Sequence, residues 1–250
     1  MNLREKKTME LINTHKILSV SELCDNLQVS ESTARRLFTN LSDKGLIRRF
    51  HGGGQSLSLF DEKTDVQKRI DDNYNKKDNI ARYAAKMIKN GQSVMLMGGT
   101  TVYMMCKYIM DHKVTVITNS MIIYEELKIV PNIDLIILGG RYNHNEMEVR
   151  GALTSSGLRL LNSDFLFMGA TGFNTDTGFL TYDIDSVELY HLCIDATNHC
   201  CVLADSSKVM GCGTAVMAPL DRTNILISDI GLSDENTNLF KEKGIDVIRI

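Results

Sequence analysis

SELCDNLQVSESTARRLFTNLSDKGLIRRFHGGG, Ser21 to Gly54, is the stretch around which the rest of the chain is organised. Two short helical patterns stand side by side, joined by a tight turn at Gln28-Val29. In the first, Ser21 is placed as N-cap, and Leu23, Cys24 and Leu27 share one face. In the second, Ser30 is the N-cap, its hydroxyl satisfying amide donors that the first helical turn leaves unpaired. Ala34, Leu37, Phe38 and Leu41 follow at i, i+3, i+4 and i+7 as one apolar stripe, and Gly45 terminates the helix. Ser32, Arg35, Arg36 and Thr39 then point broadly away from the stripe, with Thr33 and Asn40 at its flanks. Leu46 to Phe50 reads as a strand, and Gly52-Gly53-Gly54 as the tip of a wing or the exit from it.

A helix with one side in a core and the other bearing two arginines and several hydroxyls can read base edges and phosphates. Alone, such a face is better read as solvated polar surface. The preceding helix, the tight turn and Arg48-Arg49 turn the balance towards a winged helix-turn-helix that docks in the major groove of DNA. The expected DNA-binding residues are Ser32, Thr33, Arg35, Arg36 and Thr39, with Arg48, Arg49 and His51 as backbone contacts. For His51, a phosphate contact and a plain turn residue weigh equally.

Outward from this stretch, the charge is unevenly spread. Residues 1–56 hold nine Lys+Arg against six Asp+Glu, a balance of +3, while the remainder holds nineteen against twenty-five, a balance of −6. The net charge of −3 therefore hides a basic head on an acidic body, which points to a polyanion partner for the head alone. The six cysteines form no C-x-x-C pair, and His199 beside Cys200-Cys201 matches no common zinc framework, so neither a metal nor a cofactor is expected. The charged N-terminus and the lack of a long apolar run predict a cytoplasmic protein with free thiols, no signal peptide and no membrane span.

Residues 57–75 are polar and charged and read as a linker, with room for a short helix from Val66 to Ile70. Beyond Lys76, strand and helix patterns alternate. Strands are expected at 93–97, 114–118, 133–138, 165–168, 200–204, 225–228 and 246–250, with the first helix over Lys77 to Asn90. The alternation implies an α/β domain with a mostly parallel sheet covered by helices. The expected division is a winged helix-turn-helix at 1–56, the linker at 57–75 and an α/β domain at 76–250.

Nearly every expected strand ends in small or hydroxyl residues: Gly98-Gly99-Thr100-Thr101, Asn119-Ser120, Gly139-Gly140, Gly169 to Gly172, and Asp205-Ser206-Ser207-Lys208. Ligands of open parallel sheets bind at the carboxyl ends of strands. Glycines there let a backbone come close, and hydroxyls and amides suit an anion, for which phosphate is the obvious candidate and Lys208 the charge. Each motif alone fits a capped turn equally well; their convergence on one sheet edge favours a ligand site. The expected effector-binding residues are Gly99, Thr100, Thr101, Asn119, Ser120, Gly139, Gly140, Gly172, Asp205 and Lys208. Arg141 and Arg150 flank a loop from Tyr142 to Glu148 that reads better as solvated than as a clamp on an anion. Asp183 and Asp185 favour capping of the helix that follows.

The head resembles the N-terminal domain of the DeoR family of bacterial transcriptional regulators. The likeness rests on Val29-Ser30, Thr33-Ala34-Arg35-Arg36 followed by Leu41, Gly45-Leu46-Ile47-Arg48-Arg49 and His51-Gly52-Gly53-Gly54. The body resembles the family's sensor domain, related in fold to ribose-5-phosphate isomerase and the CoA-transferases. Its matching positions are Gly99-Thr100-Thr101, Thr118-Asn119-Ser120, Gly139-Gly140, Gly151, Asp164, Gly169, Gly172, Glu188, Ala204-Asp205-Ser206-Ser207-Lys208 and Asp229. The resemblance implies a DNA-binding regulator, a repressor of carbohydrate genes, whose operator affinity a phosphorylated sugar controls.

This sequence departs from the family pattern at four places. Leu37 follows the paired arginines where the family has Asp, and Met97 or Gly98 stands where it has Asp before the Gly-Thr-Thr run. Arg150 replaces a Ser or Thr before Gly151, and Tyr190 replaces a Lys. The expected partners are a double-stranded operator, a phosphorylated sugar and further copies of the chain in a dimer or tetramer, because helix-turn-helix proteins commonly read half-sites in pairs. The alternative is a sugar-phosphate isomerase or deaminase with an accessory DNA-binding head, using Asp205, Glu188 or Asp164 as acid or base. No spacing of titratable groups compels a mechanism, so no catalytic residue is assigned.

Overall fold

A computed structural model describes residues 3–15, 17–50, 52–56, 65–209, 211 and 213–250; of Arg48, Gln55 and Asp65 it describes the backbone. Two compact units divide between Lys63 and Thr64.

The first unit runs α1 (Leu3–His15), β1 (Ile17–Ser19), α2 (Val20–Leu27), α3 (Glu31–Asp43), β2 (Ile47–Phe50) and β3 (Gly53–Ser56). Ala34, Leu37, Phe38 and Leu41 are all buried, packed with Ile12, Leu18, Leu23 and Ile47, as the stripe on α3 requires. Gln28, in the left-handed region at φ 51°, turns the chain between α2 and α3, and Ser30 caps α3 by accepting from the Thr33 amide.

Two expectations for the head are corrected. The N-cap of α2 is Ser19 rather than Ser21. Its hydroxyl accepts from the Glu22 amide while the Glu22 carboxylate takes the Ser19 amide at 2.7 Å, a reciprocal pair that Ser21 lacks a partner to form. Ile17–Ser19, directly before α2, forms a strand, β1, and the triple glycine is neither simply tip nor exit. Gly53 and Gly54 lie within β3, the middle strand of an antiparallel sheet of order β1-β3-β2.

The second unit begins with α4 (Asp65–Asp71) and α5 (Tyr74–Lys86). The short helix allowed at Val66 to Ile70 is present as α4, and the next helix begins at Tyr74, within the expected linker, rather than at Lys77. Val66 anchors α4: it is fully buried in the core, and one such anchor outweighs the polar composition around it. Residues 57–64 lie outside the described residues.

All seven expected strands form one sheet: β4 (Ser93–Leu96), β5 (Val114–Thr118), β6 (Ile133–Ile137), β9 (Ser163–Gly169), β12 (Thr197–Leu203), β14 (Ile225–Ser228) and β15 (Asp246–Arg249). Its order is β15-β14-β12-β9-β4-β5-β6, and every pairing is parallel. Alternate residues feed opposite cores. Val94, Leu96, Phe167, Cys201 and Leu203 face one apolar layer, and Met95, Met97, Leu166, Met168 and Val202 the other. Burial on both faces is why these strands read as continuous apolar runs rather than as an alternating pattern.

Two small antiparallel elements were not expected. The loop from Tyr142 to Glu148 is a hairpin of β7 (Arg141–Asn143) and β8 (Glu148–Arg150). Short strands β10 (Gly172–Asn174), β11 (Gly178–Thr181) and β13 (Ala215–Ala218) make a second sheet.

The chain winds outward from β4 through β5 to β6, then returns to the far side of β4 to lay down β9 and, outward again, β12, β14 and β15. The direction of winding reverses between β4 and β9. In open parallel sheets, that reversal leaves a crevice at the carboxyl ends of the two strands. Here those ends are Gly98-Gly99 and Gly169-Ala170.

Candidate functional site

On the head, Ser32, Arg35 and Arg36 are exposed on α3, with Thr33 and Thr39 half-buried beside them. Arg35 is held to Glu31, one turn earlier, at 3.2 Å. Arg36 makes no ion pair among the described residues. The Thr39 hydroxyl donates to the Arg35 carbonyl at 2.9 Å and accepts from Arg49 Nη1 at 2.8 Å, so the wing strand β2 is tied to the outer face of α3. Thus six of the eight expected DNA contacts, Ser32, Thr33, Arg35, Arg36, Thr39 and Arg49, are placed near one another by α3 and β2. Arg48 is on β2 with its side chain outside the described residues, as is His51 entirely.

At position 37, where the resemblance leads one to expect a carboxylate, the leucine is packed into the core of the head. A charge there would lie on the stripe side of α3 rather than on the face that carries the arginines.

At the reversal point of the large sheet lies a cleft of about 550 Å³. Of the expected effector residues, Gly99, Thr100, Thr101, Asp205 and Lys208 line it. The other five do not. Asn119 and Ser120 are buried behind it, the Asn119 amide donating to the Val149 carbonyl. Gly139 and Gly140 close onto the Thr154 and Arg150 neighbourhood, and Gly172 packs against the backbone of Gly211. The loop between β4 and α6 (Thr100–Tyr103) turns at Gly99, whose φ of +130° favours glycine and whose Cβ would stand 3.4 Å from the Gly169 Cα. Because α6 is a single turn, the expected attraction of a helix N-terminus for an anion is small; Lys208 and the threonine hydroxyls are what remains.

The charges around the cleft are mostly neutralised by one another. Arg69 pairs with Glu146, and Arg150 pairs with Glu148 at 2.6 Å and with Asp183. Lys77 is buried and donates its Nζ to the Arg69 carbonyl; burial pushes its pKa down, and the nearby Asp205 pushes back. Asp205 is almost wholly buried and caps the turn Ser206–Lys208, accepting from the Ser207 amide at 3.0 Å and from the Asn73 side chain at 3.3 Å. The Lys208 amide donates to the Asp205 carbonyl at 3.0 Å, but its side chain forms neither a hydrogen bond nor an ion pair among the described residues. Glu148 is also buried, which raises its carboxyl pKa against the pull of Arg150, and burial puts the Tyr190 phenol well above its usual range. No group of three or more His, Cys, Asp or Glu among the described residues is arranged to hold a metal ion.

Several of these side chains escaped sequence reasoning: Arg69, Asp72, Asn73, Lys77, Glu146 and Glu148. One left a signal. Lys77 falls on the same helical stripe as Ile80 and Ala84, and a lysine on an apolar face is a buried charge in search of a function or a partner. Glu148 left none, because its position depends on a short hairpin whose residues carry no strand pattern. Asp183 caps no helix with its side chain, contrary to expectation; it faces Arg150 instead.

The three carboxylates that an enzyme reading would use are dispersed. Asp205 is in the cleft. Asp164 is spent on the Ser93 amide at 2.8 Å, at the amino ends of β9 and β4, and Glu188 is exposed beside Arg159.

Residues 4–59 match the family model for the DeoR-like helix-turn-helix domain, and residues 72–230 match that for the DeoR C terminal sensor domain. The chain is 30% identical over 245 residues to the HTH-type transcriptional regulator GolR of Listeria innocua serovar 6a, covering 98% of this chain and 96% of that one. It is also 30% identical over 208 residues to the glycerol-3-phosphate regulon repressor of Haemophilus influenzae, covering 83% and 81%. Among solved structures it is similar to a ribose 5-phosphate isomerase from Methanocaldococcus jannaschii, with a TM-score of 0.41, 19% identity and coverage of 55% of each chain.

Proposed function

This chain belongs to the DeoR family of DNA-binding transcriptional regulators, and on that premise we propose that it represses carbohydrate genes until a phosphorylated sugar fills the cleft of its sensor unit. The observation that carries the effector reading is Lys208, a cation in the cleft wall with no partner among the described residues, beside Thr100 and Thr101. A phosphate supplies what such a lysine lacks. The names of relatives such as the glycerol-3-phosphate regulon repressor support the same chemistry.

The effector acts by preferring a state of the protein that holds the operator weakly, since a ligand shifts an equilibrium only through differential affinity. Recognition of paired half-sites requires further copies of the chain, so the working form is a homo-oligomer in the cytoplasm. The dispersal of Asp164, Glu188 and Asp205 supports a sensor without enzymatic turnover. The expected DNA contacts remain Ser32, Thr33, Arg35, Arg36 and Thr39, with Arg48, Arg49 and His51 on the backbone.

The test combines two measurements on the full chain. Thermal shift against a panel of phosphorylated sugars and sugar alcohols should reveal at least one stabilising compound. That compound should release the protein from its own promoter DNA in a gel-shift assay. Lys208→Ala should abolish the thermal shift and leave DNA binding constitutive; a full shift in that variant would remove Lys208 from the phosphate site.

A further inference from the structure

The loop after β4 carries Gly98, and a Cβ built there would overlap Glu148 Oε2, with the Tyr190 hydroxyl 3.8 Å away. The missing side chain is thus what admits the Glu148 carboxylate to the cleft wall. Glu148 is only 4% exposed. Its Oε1 accepts from Arg150 Nε at 2.6 Å, while its Oε2 accepts no hydrogen bond among the described residues. Arg150 is held on another side by Asp183. One guanidinium between two carboxylates leaves this wall with a formal charge of −1, so Arg150 braces Glu148 and has no charge to spare for a ligand anion.

The sheet separates this wall from Lys208. Lys208 follows β12, whereas Glu148 is bridged to Ser120 at the end of β5, and β9 and β4 lie between. At roughly 4.8 Å per strand, the two ends are on the order of 10–15 Å apart. One end offers an unpaired cation and the other an unpaired acceptor in an anionic surround.

We propose that Glu148, admitted by Gly98 and braced by Arg150, is the residue that sets effector specificity: its Oε2 accepts a hydroxyl at the end of the ligand distant from the phosphate and rejects an acid there. The effector class is then a sugar or sugar alcohol with one phosphate and an uncharged far end. Sugar acids with a terminal carboxylate and bisphosphates are excluded, because the anionic wall offers the second charge no partner. This inference rests on the reading of the cleft as a phosphorylated-sugar site.

Isothermal titration of the full chain tests it with matched probes: sorbitol 6-phosphate against 6-phosphogluconate, fructose 6-phosphate against fructose 1,6-bisphosphate, and inorganic phosphate alone. The neutral-ended member of each pair should bind at least about tenfold more tightly. Glu148→Gln keeps the shape of the wall and removes its charge, and should narrow each ratio by about tenfold. Gly98→Ala, which displaces the carboxylate from the other side, should narrow it as well, with a melting curve verifying that the variant is folded. Equal or tighter binding of the acid-ended or doubly phosphorylated probes overturns the proposal, as does an unchanged ratio in Glu148→Gln. If probes bind without preference, the phosphate reading stands and this one falls alone. If no phosphorylated probe binds, both fall together.

Discussion

The three consecutive glycines of the wing should respond differently to the same substitutions, because each is required for a different reason. Gly52 has φ +98° with nothing within 4 Å of a built Cβ, so its requirement is conformational. Alanine there costs about 1–2 kcal/mol in backbone strain, and asparagine, which tolerates a positive φ better, costs less. Gly53 has no conformational constraint of that kind. Its Cβ would run into the Leu18 carbonyl oxygen of β1 and lie 2.7 Å from Phe50 Cζ, and the carbonyl can yield only by opening the Ser19–Gly53 pairing. Gly54 would place a Cβ 2.7 Å from Phe38 Cδ1 and 3.0 Å from Ile47 Cδ1, both in the core of the head. Crowding of this kind costs about 1–3 kcal/mol, with position 53 at the upper end because backbone cannot repack. The decisive feature is a sign. Asparagine should be milder than alanine at 52 and harsher than alanine at 53 and 54, since it relieves strain but adds volume. Hydrogen exchange on the full chain, followed in peptides covering α3 and the wing, reads the local opening free energy without requiring the two units to unfold together. Asparagine milder than alanine at 53 or 54 would refute the packing argument.

Arg36→Ala should weaken operator binding by about 1–3 kcal/mol if it reads a base, or lower the salt-dependence slope by about one if it holds a phosphate; titrations at several salt concentrations separate the two. Arg35→Ala should behave likewise but with a smaller loss, because Glu31 already neutralises part of that charge; the reverse ranking would sink the assignment. Asp229 offers a pH test. Burial would raise its carboxyl pKa, but hydrogen bonds from the Ser206 and Gly231 amides at 2.6 and 2.9 Å, together with Lys76 at 3.1 Å, hold it below the usual range. A carboxyl depressed in the folded state stabilises above its unfolded pKa and loses that contribution as pH falls through the folded value. Asp229→Asn should therefore cost about 1.5–3 kcal/mol at neutral pH, and less as the pH falls below 4, measured by thermal melting across that range. A loss independent of pH would assign the effect to packing instead.

The sheet was legible in the sequence because both of its faces are covered. Runs such as Ser93–Leu96 and Val114–Thr118 are mostly apolar and β-branched and lead into glycine or hydroxyl residues, so each strand announces itself locally. The stripe on α3 was legible for the same reason. What stayed hidden depends on contacts distant in sequence. The cap at Ser19 is the exception, since Glu22 stands three residues on, at the spacing of a capping box, and that signal is local. The hairpin carrying Glu148 is six residues of weak strand joined by a polar turn, and its placement at the cleft follows from Ser120 and Asn119 pairing with its backbone. The departures from the family pattern at Met97 or Gly98, at Arg150 and at Tyr190 are visible one by one. Only the fold shows that Gly98, Arg150 and Tyr190 all neighbour the Glu148 carboxylate.

Arg69, Asp72, Asn73 and Lys77 line the cleft, and Arg69 is the sixth residue of the second unit as counted from Thr64. Asn73 reaches Asp205 and Ser207, so the first turns after the boundary are stitched directly to the turn that bears Lys208. A regulator must carry news of its ligand to a reader elsewhere in the chain, and in many proteins that message crosses a packed core. On the proposed reading of the cleft, a ligand would touch the leading end of the second unit directly. On that reading, a ligand that tightens the wall would also tighten the hold of the Lys208 turn on Asn73, between the first two helices of the second unit.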